Sequence, residues 1–305
     1  MLAKSWEISS DGRTMMNEGP KSGDLYVDGG IKIHYWDWGN FGPAMLLVHP
    51  SGAFGRIWDP LAKLIYDKFH LIAVDLRGHG DSDKPKGDYS AEAGSRDVLQ
   101  LIDLLKLKNV VFVSHSLGTR IGIVLAAENP RAVNRFVMVG APHYAALFPD
   151  SPEAKEEREG FQERARMWAR LPKVLSSKEE AMAFLRRPLS LLRGFDDPVL
   201  DFIVSSNTNQ LSDGRIEWKW DPEAVGSGLT HAPDDLTGYV SRLKCPILVP
   251  YGVRKFEQTP ERIQAMKGRL PTSRWVPIHD AEYYIYLEKP EELARVILEF
   301  AADLL

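Results

Sequence analysis

Val110-Val111-Phe112-Val113-Ser114-His115-Ser116-Leu117-Gly118 is the stretch whose reading decides the fold. Its first four residues form a continuous block of β-branched and aromatic side chains, the signature of a strand covered on both faces. From Gly118 onward the chain reads as a helix, with Ile121 to Ala127 as its apolar body. Ser116 therefore stands at the apex of a sharp strand-to-helix turn. Such a turn forces its apical residue into strained backbone and lifts the hydroxyl clear of the sheet, where it can act as a nucleophile.

Working outward, short apolar runs recur at 24–28, 31–38, 44–49, 70–75, 110–114, 135–140, 246–251 and 274–279, which predicts eight strands. The third onward are blocks such as Met45-Leu46-Leu47-Val48, suited to parallel strands under helices. The first two alternate apolar and polar residues, with Asp28-Gly29-Gly30 as the turn of an antiparallel edge hairpin. Amphipathic helical patterns lie between the later strands. Val98, Leu101, Ile102 and Leu105 make one stripe, and Leu293, Val296, Ile297 and Phe300 another. The expected fold class is α/β, an eight-stranded, mostly parallel sheet with helices on both faces.

Between His143 and about Thr237 the composition turns charged and helical, which predicts an inserted helical cap at 143–237. Residues 1–22 would then be an N-terminal extension, with 23–142 and 238–305 forming the core domain. Within the insertion, 152–170 is a strongly charged helix, Ser177 heads a capping-box pattern, and Pro198 opens a further helix.

The 305 residues carry a formal net charge of −4 and 44% hydrophobic residues. They offer no basic surface for nucleic acid. Residues 1–22 lack the apolar core of a secretory leader, and no window is long and apolar enough to span a membrane, so a cytoplasmic protein without membrane contact is expected. A single cysteine, Cys245, excludes an internal disulfide framework and a multi-cysteine metal site. No cofactor or metal is expected, and monomer and homodimer are both ordinary for such a chain.

Four landmarks in order along the chain resemble the capped small-molecule hydrolases of the α/β-hydrolase fold, over roughly residues 23–305. His49-Pro50-Ser51-Gly52, followed by Trp58, resembles the loop that donates a backbone N–H to an oxyanion. Asp75 to Ser82 resembles the turn after the fourth strand. Ser114-His115-Ser116-Leu117-Gly118 resembles the nucleophile elbow, with Ser114 where the family usually has glycine. The resemblance implies Ser116 as nucleophile and the N–H groups of Ser51 and Leu117 as oxyanion donors.

The fourth landmark, 277–290, matches the family's C-terminal stretch but departs from it at the key position. The family's histidine lies five residues before the glutamate of Leu287-Glu288-Lys289-Pro290, and that count lands on Tyr283. A phenol with a pKa near 10 does not replace an imidazole near 6.5 without a large shift. The family's acid position, after Gly252, is occupied by Lys255 and Phe256, with Glu257 adjacent.

A relocated mechanism would draw on His143, His231 or His279. His143 stands out, because residues just past a strand's C-terminal end line the cleft of an open α/β sheet. Lys255 could act as a base beside a serine, or simply be a solvated loop cation. His49, Trp58, His115, Trp218 and Trp220 are candidate ligand contacts, with core packing as the alternative for each, and the aromatic content suggests a small apolar or aromatic ligand. Three functions remain open. The first is a serine hydrolase of a small ester, lactone, amide or related substrate with a substituted triad. The others are a ligand-binding protein and a non-hydrolytic lyase or cyclase using the same pocket.

Overall fold

The computed structural model describes residues 6–8, 14–16, 19–39, 42–187, 190, 192–231, 234–253 and 259–305. The eight expected strands are all present and form one sheet: β1 (Lys21–Val27), β2 (Ile31–Gly39), β3 (Ala44–Val48), β4 (His70–Val74), β5 (Val110–His115), β6 (Val133–Val139), β7 (Ile247–Gly252) and β8 (Ser273–Ile278). Their spatial order is β8-β7-β6-β5-β3-β4-β2-β1. β2 runs antiparallel to both its neighbours and the remaining pairings are parallel. The edge hairpin turns at Asp28–Gly30, where Gly29 takes φ 79°. β1 starts three residues earlier than its hydrophobic pattern indicates. Lys21, Ser22 and Gly23 pair with Asp37, Trp36 and Tyr35, and backbone pairing at an edge needs no apolar side chain.

Twelve helices are described: α1 (Asp59–Ile65), α2 (Ala91–Leu104), α3 (Leu117–Glu128), α4 (Tyr144–Leu147), α5 (Pro152–Ala169), α6 (Lys178–Leu185), α7 (Asp197–Ser206), α8 (Pro222–Thr230), α9 (Thr237–Val240), α10 (Pro260–Arg269), α11 (Ile285–Glu288) and α12 (Pro290–Phe300). Side chains alternate across each buried strand, so Met45 and Leu47 join one core layer with α1, α11 and α12, while Leu46 and Val48 join the other with α2, α3 and α10. Each such fully buried side chain contributes roughly 1.5–3 kcal/mol.

The segment between β6 and β7 holds α4 to α9. It also holds three short antiparallel strands, Val174–Leu175, Thr208–Gln210 and Ile216–Trp218, which its helical composition conceals. Helix α5 begins as its sequence demands, with Ser151 Oγ accepting from Ala154 N–H at 3.1 Å and Pro152 at its first position. Its contact with α8 is close because Gly226 faces the Ala165 carbonyl and the Ala169 methyl. Among the described residues, no helix is long and apolar enough to cross a membrane.

Register brings the site together. Val48 pairs with Ser114, and His115 pairs with Val139, so β3, β5 and β6 end side by side at one edge of the sheet. The loop after β3, the apex at Ser116 and the loop after β6 are therefore neighbours by construction, as at the carboxyl ends of open α/β sheets.

Candidate active site

Ser116 adopts φ 51°, ψ −109°, left-handed backbone for a residue other than glycine. Strain of this kind costs about 1–3 kcal/mol and persists where the surroundings impose it. Here the close approach of α3 to the sheet imposes it: a Cβ on Gly118 would lie 2.4 Å from the Val48 carbonyl oxygen. Ser114, in place of the usual glycine, is absorbed without displacement. Its hydroxyl lies 3.0 Å from Thr119 Oγ1 and donates to the Val137 carbonyl at 3.3 Å.

On the β6 side, His143 Nε2 lies 3.4 Å from Ser116 Oγ. Behind it, His143 Nδ1 is 3.5 Å from Glu157 Oε1 on α5. The other oxygen of Glu157 accepts from Ala145 N–H at 2.6 Å, which ties the carboxylate to the loop carrying the histidine. The edge of Phe161 packs on the imidazole at a ring separation of 4.6 Å. Serine, imidazole and carboxylate are thus in line, at distances longer than ideal hydrogen bonds, as catalytic groups often are without substrate. Glu157 is the residue the sequence reading missed. The signal was present: Ala154, Phe161 and Ala165 form the buried stripe of α5, and Glu157 falls on it with its side chain only 14% exposed. A carboxylate on an apolar stripe calls for a partner.

On the β3 side, the Ser51 and Leu117 N–H groups are engaged in no hydrogen bond among the described residues, and Leu117 is the first residue of α3. The Ser51 hydroxyl donates to the Val225 carbonyl of α8 at 3.4 Å. His49 holds this loop rather than meeting a ligand. Its Nδ1–H donates to the Pro50 carbonyl at 2.7 Å, and its Nε2 accepts from Leu76 N–H at 3.0 Å. Burial, aided by His79, pushes its pKa well below the usual histidine range, so it stays neutral.

The remaining candidates fall elsewhere. Tyr283 lays its ring against His115, 4.3 Å between centroids. His115 Nδ1 lies 3.0 Å from the hydroxyl of Tyr286, whose pKa burial raises well above 10. Trp58 is fully buried against Tyr286, and Trp218 stacks on Trp220 in the segment between β6 and β7, so these three rings fill core space. Large apolar surfaces gain most where water is excluded on all sides, which is why the expected ligand contacts became packing. His231 pairs with Asp234 at 3.0 Å, and His279 is exposed at the end of β8. Lys255, Phe256 and Glu257 lie outside the described residues.

One metal-like grouping, His34, Asp75 and Asp81, occurs among the described residues. Asp75 accepts from Gly55 and Asp81 N–H groups at 2.5 and 2.9 Å, and Lys219 pairs with Asp81 at 3.0 Å, so these carboxylates already lock the turn after β4. Cys245 precedes β7, and burial pushes its thiol up to about 11, which leaves it unreactive at neutral pH.

Residues 43–200, just over half of the chain, match the family model for the α/β hydrolase fold. The chain belongs to the α/β hydrolase family. It is 38% identical over 100 residues to an uncharacterized protein of Mycobacterium tuberculosis, a match covering 33% of this chain and 29% of that one. It is also 38% identical over 115 residues to 2-(acetamidomethylene)succinate hydrolase of Mesorhizobium japonicum, covering 37% and 41% of the two chains. Epoxide hydrolase 4 of Mus musculus is 29% identical over 119 residues, covering 38% and 33%. The matches thus span less than half the length of these curated relatives. Among solved structures, E-2-(acetamidomethylene)succinate hydrolase superposes with a TM-score of 0.76 over 92% of this chain and all of that one, at 23% identity.

Proposed function

We propose that this α/β-hydrolase-fold protein is a serine hydrolase whose base and acid have moved: Ser116 is the nucleophile, His143 the base and Glu157 the acid. The alignment of Ser116 Oγ, His143 Nε2 and Glu157 Oε1 at 3.4 and 3.5 Å carries this reading. It supplies what Tyr283 cannot, an imidazole beside the serine with a carboxylate behind it. Hydrolase relatives, one of them acting on an acetamidomethylene succinate by its name, support a small substrate with an acyl bond to oxygen or nitrogen.

In the reaction, Ser116 Oγ bonds to the carbonyl carbon while its proton passes to His143 Nε2. Glu157 accepts from His143 Nδ1–H, fixes that tautomer and stabilises the imidazolium. The carbonyl oxygen, now carrying the charge, takes hydrogen bonds from Ser51 and Leu117 N–H. The leaving alcohol or amine receives the proton from His143. Water, deprotonated by the same imidazole, then releases the acid and restores Ser116. The inserted helical segment acts as a cap that contributes the acid itself.

A fluorophosphonate probe tests the assignment. Wild type should label at one serine, while Ser116→Ala fails to label and His143→Ala labels at least about 10²-fold more slowly. Full-rate labelling of His143→Ala would overturn the relocated base. Absence of labelling and of ester turnover in the wild type would favour a ligand-binding protein.

A further inference from the structure

Arg120, one turn beyond Ser116 on α3, is a cation short of compensation. Its side chain is 4% exposed. Burial pulls its pKa down to about 10, so it is still charged at neutral pH. Of its five N–H donors, one on Nη1 reaches the Gly228 carbonyl at 3.1 Å, while Nη2 approaches Asp234 Oδ2 at 3.8 Å. Nε is buried with no partner among the described residues. Asp234 is itself half-exposed, the same oxygen also serves His231, and Glu92 adds only an attraction without direct contact. A buried charge left this open is destabilising, and a ligand of opposite charge removes that penalty.

Its position points at the reaction centre from two directions. Arg120 lines, with Ser116, Thr119 and His143, a void of about 10 Å³, the room of a single water. The Gly228 it holds would, with a Cβ, touch Ser51 Oγ at 3.1 Å and Leu117 Cδ2 at 3.7 Å. The guanidinium, with its Nε unpartnered among the described residues, therefore borders the serine–histidine pair and is held by a glycine that abuts the side chains of Ser51 and Leu117.

We propose that Arg120 binds a carboxylate carried on the acyl part of the substrate, so that the preferred substrates are half-esters or half-amides of short dicarboxylic acids. This rests on the hydrolase reading of Ser116. The shared void suits it: Ser116, His143 and Arg120 line the same water-sized space, so only a short acyl chain fits between the carbonyl at Ser116 and a carboxylate at Arg120. The carboxylate enters at the water-sized void and accepts from Nε–H and a neighbouring Nη–H, the two-pronged geometry that guanidinium favours. A neutral amide of the same shape offers one acceptor oxygen and presents its NH2 donor where the second should be, so the guanidinium loses both its counter-charge and one of its two hydrogen bonds.

Monoethyl succinate and its shape-matched neutral amide, ethyl succinamate, form the test. The carboxylate contact is made equally in ground and transition states, so it lowers KM and leaves kcat alone. The wild type should show a KM about 10- to 100-fold lower for the charged ester. Arg120→Met should bring the charged-to-neutral ratio of kcat/KM to about one. Asp234→Asn, at a half-exposed position, should raise that ratio by removing the competing anion, and it carries the test if Arg120→Met does not fold. Equal KM values in the wild type, or a ratio unmoved by Asp234→Asn, would overturn the proposal. Calorimetry on Ser116→Ala separates the two readings. Tighter binding of monoethyl succinate than of ethyl succinamate supports the carboxylate site even if the wild type hydrolyses neither, and equal binding refutes it even if both are hydrolysed.

Discussion

Replacing Glu157 with glutamine removes one negative charge while keeping the volume and the carbonyl oxygen that Ala145 N–H requires. At 3.5 Å and an effective dielectric constant of about 20, attraction between the carboxylate and an imidazolium is about 5 kcal/mol. Glutamine keeps a dipole there and some solvent reaches the group, so about 3–4 kcal/mol of that attraction is lost at the proposed step in which His143 takes the proton. That corresponds to a fall of about 10²–10³-fold in kcat. KM should move little, because on the proposed assignment the charge on His143 develops only during reaction. The assay is steady-state hydrolysis of a responsive ester with the rate of fluorophosphonate labelling, alongside thermal unfolding. The 2.6 Å bond from Ala145 survives in the variant, so the unfolding temperature should stay within about 3 °C of wild type. Turnover within about threefold of wild type, in a background where Ser116→Ala and His143→Ala are dead, would refute a catalytic role for Glu157.

Three other perturbations bear on the scaffold. Burial lowers the pKa of His79 from 6.5 to about 4. The stability it contributes is therefore complete above pH 6.5 and declines as pH falls toward 4, by about 3 kcal/mol; His79→Gln should flatten the dependence of unfolding free energy on pH in that window, with a residual slope from His49. Gly118→Ala drives a methyl against the Val48 carbonyl 2.4 Å away and should cost at least 1–3 kcal/mol, measured by chemical denaturation; an unchanged midpoint would show that α3 can shift. Gly228→Val crowds Ser51 from 3.1 Å and should slow acylation more than it lowers the unfolding temperature, and the reverse order would count against Ser51 as an oxyanion donor.

Much of the fold was legible because its strongest signals are local. The blocks at Met45–Val48 and Val110–Val113 are buried on both faces and carry no polar interruption, so they identify central strands unaided. The elbow was legible because a serine between a strand block and a glycine-headed helix has few other uses. His143 was placed near Ser116 by topology, since β5 and β6 are adjacent and end in register. What escaped was tertiary. Glu157 sits among Glu153, Glu156, Glu159 and Glu163, and only the buried stripe of α5 sets it apart from those acids. Trp218 and Trp220 could equally have lined a pocket, and their burial depends on contacts with elements distant in sequence, such as Trp168 on α5, whose ring lies 5.3 Å from that of Trp220. The short strands there are held by pairing among Leu175, Ile216 and Thr208 neighbourhoods, which no local pattern announces.

Glu157 lies on α5, between β6 and β7, while Ser116 follows β5 of the central sheet, and that division has a thermodynamic consequence. The distance between Glu157 and His143 is set by how α5 docks on the loop after β6, a contact made of Glu157, Ala145, His143 and Phe161. Any partial opening that detaches α5 while the sheet stays folded leaves the serine in place and the imidazole without its carboxylate. On the proposed assignment, heating should therefore extinguish turnover a few degrees before the sheet's circular dichroism is lost, and the gap between the two midpoints measures the local free energy of that one docking contact.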